Sequence, residues 1–237
     1  MNPSTATPTA THALPDILRG DTKHLQGWIQ NWQTRQFAFA ILTIVIGSSL
    51  YGAAVGLWRA PAQACYVALK MPLILLGTAF GNAMLNGMMA PLLGLQINFR
   101  QSLLAILMSF VIAATILGAF SPLMFFLVWN APAFSVNGSG SVHASILLLD
   151  VFVIAFAGIA ANARLLKLLR ELSGSRAIAM KLFFAWIAVN LLLGSQLSWI
   201  LRPFIGSPGL PVEFLRADAF HGNFYEAVFN AFKNFLR

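Results

Sequence analysis

Five long apolar runs dominate this chain of 237 residues and constrain its fold more than any other feature. A helix needs about 20 apolar residues to cross a hydrocarbon core of about 30 Å. The runs cover residues 37–58, 72–95, 103–129, 143–163 and 182–200. Only 9% of the residues are charged and 58% are hydrophobic, whereas soluble proteins have roughly 25% charged residues. The sequence therefore predicts an all-α polytopic membrane protein with five transmembrane helices.

Polar segments flank the five-span region, residues 37–200, on both sides. The N-terminal tail comprises residues 1–36. In it Leu25, Trp28 and Trp32 recur at helical spacing. Because Trp prefers the membrane interface, this pattern predicts a short amphipathic helix, which could lie on the membrane or cap the protein's own bundle.

The C-terminal part, residues 201–237, begins with a corner and ends in a second amphipathic helix. Pro203, Pro208 and Pro211 suit no regular element, and they predict a rigid corner that folds the tail back toward the membrane. The apolar face of the helix that follows carries Phe220, Phe224, Val228, Phe232 and Phe235. We expect this face to contact either lipid or protein.

Small residues at helical spacing predict close helix packing in two spans. Ser48, Gly52 and Gly56 lie four residues apart on one face of the first span. Gly77 and Gly81 repeat this spacing in the second span. Such stripes let two helix backbones approach closely, either inside one bundle or between two copies in a dimer.

A few polar side chains lie within the spans, where each needs a partner. Asn82 and Asn86 are one turn apart in the second span, and Asn190 and Gln196 are in the fifth. Amides in this setting usually hydrogen-bond across a helix interface, at about 0.6 to 2 kcal/mol each. The alternative is that they line a polar substrate cavity together with Asp150.

Asp150 is the only acid in the middle of an apolar run. A buried, unpaired carboxylate is costly in a membrane, so it should be protonated, paired or facing a wet cavity. Lys70 and Arg202 are expected near the depth of Asp150, which predicts an ion pair with one of them. A proton relay is the alternative role for this carboxylate.

The distribution of basic residues predicts the orientation of the chain. The loop between the fourth and fifth spans contains five of them beside the single acid Glu171, whereas the loop between the third and fourth spans contains none. The five are Arg164, Lys167, Arg170, Arg176 and Lys181. By the positive-inside rule, the N-terminus is cytoplasmic and the C-terminus is extracytoplasmic.

The sequence contains no pattern that predicts catalysis or a cofactor. It lacks a glycine-rich phosphate loop, a His-Glu-x-x-His motif and a Gly-x-Ser-x-Gly nucleophile elbow. Its single cysteine, Cys65, can form neither an intramolecular disulfide nor, by itself, a thiolate metal site. The net charge of +8 comes mostly from basic residues between apolar runs, not from a basic patch. We therefore expect no catalytic residues, cofactor, metal or nucleic-acid partner.

Two short segments carry a resemblance to a known family. They are Gly-Ser-Ser-Leu-Tyr-Gly-Ala-Ala-Val-Gly-Leu at 47–57 and Ala-Leu-Lys-Met-Pro-Leu at 68–73. With Pro122 and the five-span layout, they resemble the bacterial branch of the Yip (Ypt/Rab-interacting protein) membrane family over residues 37–165. The resemblance implies a helical bundle in the bacterial inner membrane, a cytoplasmic N-terminus and an organising, non-catalytic role. Eukaryotic relatives act in vesicle traffic with small GTPases, and the tail from Arg202 onward departs from the family pattern.

Two functions are compatible with these features. The preferred one is a non-enzymatic membrane scaffold or accessory subunit, whose partners are the lipid bilayer and either other membrane protein subunits or further copies of the chain. The alternative is a small-solute transporter or channel with a polar cavity inside the membrane. Transport requires the polar side chains to converge around water near the midplane, whereas mutually satisfied amides favour the scaffold.

Overall fold

The computed structural model describes residues 34–134, 140–206, 210–226 and 229, which contain five α-helices and no strand. The helices are α1 (Thr34–Gly56), α2 (Pro61–Leu92), α3 (Phe99–Asn130), α4 (Gly140–Ser173) and α5 (Arg176–Ile200). All five are long and apolar enough to cross a membrane, which confirms the predicted all-α, five-span architecture. The amphipathic helix predicted near the N-terminus lies outside the described residues.

Helix α3 lies at the centre of the bundle. It packs against α1, α2 and α4, whereas the main neighbours of α5 are α2 and α4. Accordingly, α3 is the most deeply buried of the five spans and α5 the least. Short connections make successive helices antiparallel. The α1–α2 connection, the end of α3, the start of α4 and the end of α5 therefore lie at the same end of the bundle.

Side chains of α3 form much of the core between the helices. Leu104, Met108 and Val111 are fully buried there and belong to one cluster with Ile44 of α1 and Trp186 of α5. In a bilayer, contact between helices does not remove apolar surface from water. Close packing and dispersion contacts therefore hold this core together.

The small-residue stripe of α1 faces α2. A Cβ atom at Gly52 would lie 2.6 Å from the carbonyl oxygen of Val67, and one at Gly56 would lie 2.8 Å from that of Gln63. Ser48 is buried and donates its hydroxyl to the carbonyl oxygen one turn earlier in α1. The stripe therefore packs two helices together inside one bundle, which is one of the two predicted roles.

The second pair of glycines faces α5. A Cβ atom at Gly77 would lie 3.1 Å from a methyl group of Leu197, and one at Gly81 would lie 2.9 Å from a methyl group of Leu193. The absence of side chains at these two positions therefore makes room for the leucines of α5 against α2.

Helix α2 begins at Pro61 and continues through Pro72, the residue at which the second apolar run begins in the sequence. Proline has no N–H group, and the carbonyl of Ala68, four residues earlier, therefore loses its usual helical donor. Ser49 of α1 donates its hydroxyl to that carbonyl oxygen at 2.7 Å. A donor from a neighbouring helix thus restores the missing hydrogen bond, and the helix can continue.

Most of the predicted basic loop between the fourth and fifth spans is helical. Helix α4 extends to Ser173 and α5 begins at Arg176, so all five basic residues lie on helices. Gly174, with a φ angle of +60°, ends α4 in the left-handed conformation that suits glycine. The predicted loop was too long because Lys and Arg are good helix formers where a helix leaves the hydrocarbon layer.

The substitution Gly52→Ala should destabilise the bundle, because its methyl group would lie 2.6 Å from the Val67 carbonyl oxygen. We expect a loss of about 1–3 kcal/mol, the usual cost of overpacking. Gly158→Ala is the matched control, since a Cβ atom at Gly158 would meet nothing within 4 Å. Thermal unfolding in detergent measures both variants, and equal midpoints would contradict the close approach of α1 to α2.

Candidate functional site

The described residues that follow α5, 201–206 and 210–226, fold over the α1–α2 connection, and we call them the cap. Gln63, in the first turn of α2, donates from Nε2 to the carbonyl oxygens of Pro203 and Phe204 at 2.9 and 2.8 Å. These two carbonyls lie outside any helix and need donors from elsewhere. Gln63 supplies them and ties the cap to α2.

The α1–α2 connection contacts both the cap and the chain between α3 and α4. Arg59 donates from Nη2 to the carbonyl oxygen of Leu210 in the cap at 2.9 Å, and its guanidinium lies 3.6 Å from the ring centroid of Phe134. Trp58 donates from Nε1 to the carbonyl oxygen of Pro132 at 3.1 Å. The chain between α3 and α4 and the cap therefore both contact this connection.

Lys70 of α2 is fully buried beneath the cap. Its Nζ donates to the carbonyl oxygen of Pro203 at 2.9 Å. The ring centroids of Phe204 and Phe214 lie 5.9 and 5.2 Å from the same nitrogen. A buried ammonium is costly unless it has acceptors, and a carbonyl with two aromatic faces provides them. Lys70 therefore binds the cap to α2.

Arg202, the other cation expected near Asp150, pairs with Asp218 instead. Its Nη2 lies 3.0 Å from the Asp218 carboxylate, and its guanidinium lies 3.8 Å from the ring centroid of Trp199. Because Asp218 is mostly exposed, the ion pair contributes only about 0–1 kcal/mol. The stacking on Trp199 places Arg202 at the junction between α5 and the cap.

Asp150 has a tyrosine as its partner. The hydroxyl of Tyr51, on α1, donates to Oδ1 of Asp150 at 2.8 Å. The predicted ion pair of Asp150 with Lys70 or Arg202 is wrong, because both cations have other partners in the cap. Sequence reasoning missed Tyr51. A buried tyrosine hydroxyl usually needs a partner, and that signal could have connected Tyr51 with Asp150.

A cavity of about 140 Å³ adjoins this carboxylate. All five helices contribute to its lining, and Phe204 of the cap provides one wall. Of the twelve described lining residues, three carry hydroxyl or carboxyl groups: Tyr51, Asp150 and Ser198. The cavity is therefore mainly apolar, with a small polar region around Asp150.

Three of the predicted amides form a hydrogen-bonded chain between α2 and α5. Asn86 donates its side-chain amide to the side-chain oxygen of Asn82, and Asn82 donates in turn to that of Asn190. Gln196 is half-buried on α5. None of these four residues belongs to the described lining of the cavity beside Asp150. The predicted polar residues thus do not converge at one place.

The described part of the predicted phenylalanine face is exposed. Phe220 is 75% exposed and Phe224 is 38% exposed. Tyr225 accepts a hydrogen bond at 2.9 Å from the hydroxyl of Ser195, which holds this segment beside α5. The remaining members of the face lie outside the described residues: Val228, Phe232 and Phe235.

Within the described part of the chain, no three His, Cys, Asp or Glu side chains gather into a group that could hold a metal ion. No protein-family model, curated protein or solved structure matches the sequence. The resemblance to the Yip family therefore stays a prediction.

The substitution Lys70→Met should loosen the cap, because methionine fills a similar volume but cannot donate to the Pro203 carbonyl oxygen. A hydrogen bond to a charged group contributes about 1.5–3 kcal/mol, so the open form should become about tenfold more populated or more. Limited proteolysis within residues 201–226 should accelerate accordingly. Lys181→Met, at an exposed lysine of α5, is the control, and equal cleavage rates in both variants would contradict the role of Lys70.

The substitution Asn82→Leu should destabilise the contact between α2 and α5, because it removes the partner of both Asn86 and Asn190. We expect a loss of about 1–3 kcal/mol from the amides left unpaired. A double-mutant cycle with Asn190→Leu should give a coupling of about 0.6–1.7 kcal/mol. Unfolding in detergent measures the cycle, and strictly additive losses would show that the two amides are not coupled.

Proposed function

We propose that this chain is a non-enzymatic integral membrane scaffold or accessory subunit of a membrane complex. One observation supports this proposal most strongly: five polar side chains within the spans bond to one another, to Tyr51 or to the cap. Asn82, Asn86 and Asn190 bond to one another, Lys70 bonds to a cap carbonyl and Asp150 accepts from Tyr51. Groups used in this way hold helices together.

The same contacts count against a continuous polar pathway. A transporter usually gathers its polar groups around one site near the midplane of the bilayer. In this protein the amide chain lies between α2 and α5, whereas Asp150 lies beside a separate cavity with a mainly apolar lining. Neither the amide chain nor Asp150 provides a row of polar side chains along the bundle.

The proposal places the protein in the bacterial inner membrane, with the basic ends of α4 and α5 in the cytoplasm. Basic residues flanking the spans on that side agree with the positive-inside rule. The outer faces of the helices are apolar, as Leu42 of α1, Phe152 of α4 and Phe184 of α5 illustrate. Such faces contact lipid, another membrane protein subunit or a second copy of the chain. An organising role of this kind is also what the Yip resemblance implies.

A small-solute transporter is the second candidate, and the cavity beside Asp150 is the observation that favours it. An ionisable residue within a membrane span commonly marks a substrate or ion pathway. Under this alternative the amide chain is structural, and the cavity alone holds the solute.

Photo-crosslinking in native membranes tests the scaffold proposal. A photoreactive residue would replace Leu42, Phe152 or Phe184, which are 58%, 66% and 62% exposed on three different helices. The scaffold proposal predicts a discrete protein crosslink from at least one of these faces. The control position is Val153, which is 1% exposed and can reach only its own bundle. Lipid adducts alone from all three faces would contradict the scaffold and favour a transporter that acts as a monomer.

A further inference from the structure

The carboxylate of Asp150 borders a cavity but has no cationic partner. Tyr51 donates to its Oδ1, and no Lys, Arg or His side chain in the described ranges forms an ion pair with it. A negative charge in an apolar cavity is costly without a positive neighbour. A ligand that brings a positive charge would remove this cost.

We propose that this cavity binds a small organic ammonium ion with an apolar body. The proposal goes beyond the scaffold function and does not depend on it. The ammonium group would pair with Oδ2 of Asp150, the oxygen that Tyr51 does not engage. Tyr51 would act as a positioning residue, because its hydrogen bond holds the carboxylate in one orientation.

The size of the cavity sets the size of the ligand. An apolar protein cavity of about 150 Å³ is large enough to bind benzene. The cavity beside Asp150 measures about 140 Å³. It therefore suits an apolar group of roughly six to eight heavy atoms that carries one amine.

The lining selects the chemical class of the ligand. Nine of the twelve described lining residues have neither a hydroxyl nor a carboxyl group, and they include Val55, Leu117 and Phe204. These surfaces suit a hydrocarbon body, and the single carboxylate suits one ammonium group. A divalent metal ion is a poor fit, because Mg²⁺ and Ca²⁺ need about six or more oxygen ligands. An anion would be repelled by the negative charge of Asp150.

Lys70 does not occupy this site. Its ammonium group is directed to the cap, where it donates to the carbonyl oxygen of Pro203. It is absent from the described lining, although its neighbour Met71 belongs to it. The charge of Asp150 is therefore open to a cation from outside the chain.

Binding of two matched probes to the full chain in detergent tests this proposal. Benzylammonium and benzyl alcohol have the same shape and differ in charge. We expect isothermal titration calorimetry to detect binding of benzylammonium. Benzyl alcohol should bind with an affinity that is lower by about tenfold or more, because it cannot form the charge pair with Asp150. Equal affinities for the two probes, or no binding of benzylammonium, would overturn the proposal.

Two variants locate the binding. Asp150→Asn should weaken benzylammonium binding about tenfold or more and leave benzyl alcohol binding nearly unchanged. Glu171→Gln is the matched control, because it removes an exposed acid from the same helix, and it should bind like the wild type. Unchanged benzylammonium binding by folded Asp150→Asn protein would overturn the proposal.

A third variant keeps the test decisive if Asp150→Asn does not fold. Ile154 lines the cavity and is 41% exposed, so a larger side chain there displaces few packed neighbours. Ile154→Trp should fill part of the cavity and weaken the binding of both probes. If benzylammonium binds to this variant as it binds to the wild type, its site is elsewhere and the proposal is wrong.

Discussion

A hydrocarbon layer contains no water, so a polar group inside it is costly unless it finds a partner within the protein. This constraint explains the contacts that hold the helices in register. Ser49 bonds to the carbonyl that Pro72 leaves without a helical donor, and Asn82 bonds across to Asn190. Apolar faces alone could not specify these neighbours, because lipid tails are as apolar as leucine side chains.

Helix α2 makes many of these contacts and thereby holds α5, the least buried helix, against the bundle. Lys70 bonds to Pro203 just beyond the end of α5, Gly77 and Gly81 face leucines of α5, and Asn82 bonds to its middle. These contacts lie at successive levels along one helix. Helix α2 therefore anchors both α5 and the cap, although few side chains of α5 and the cap are buried.

Predictions from the sequence succeeded where composition and helical period were sufficient, and failed where a partner had to be chosen. The five spans follow from the length of the apolar runs. The pairing of Asp150 does not follow from charge, because its partner in the bundle is a neutral donor, Tyr51 of α1. Likewise, no local pattern shows that α2 continues through Pro72, because the compensating donor, Ser49, lies on another helix.

The sequence by itself determined the all-α class, the number of spans and the identity of the side chains that need partners, because each depends on local composition. Only the tertiary structure decided the partners: a tyrosine for Asp150, a backbone carbonyl for Lys70 and a second helix for the amides of α2. Many donors and acceptors of similar strength could satisfy these groups. Helix packing brings one of them within hydrogen-bonding distance, and no local pattern in the chain encodes that distance.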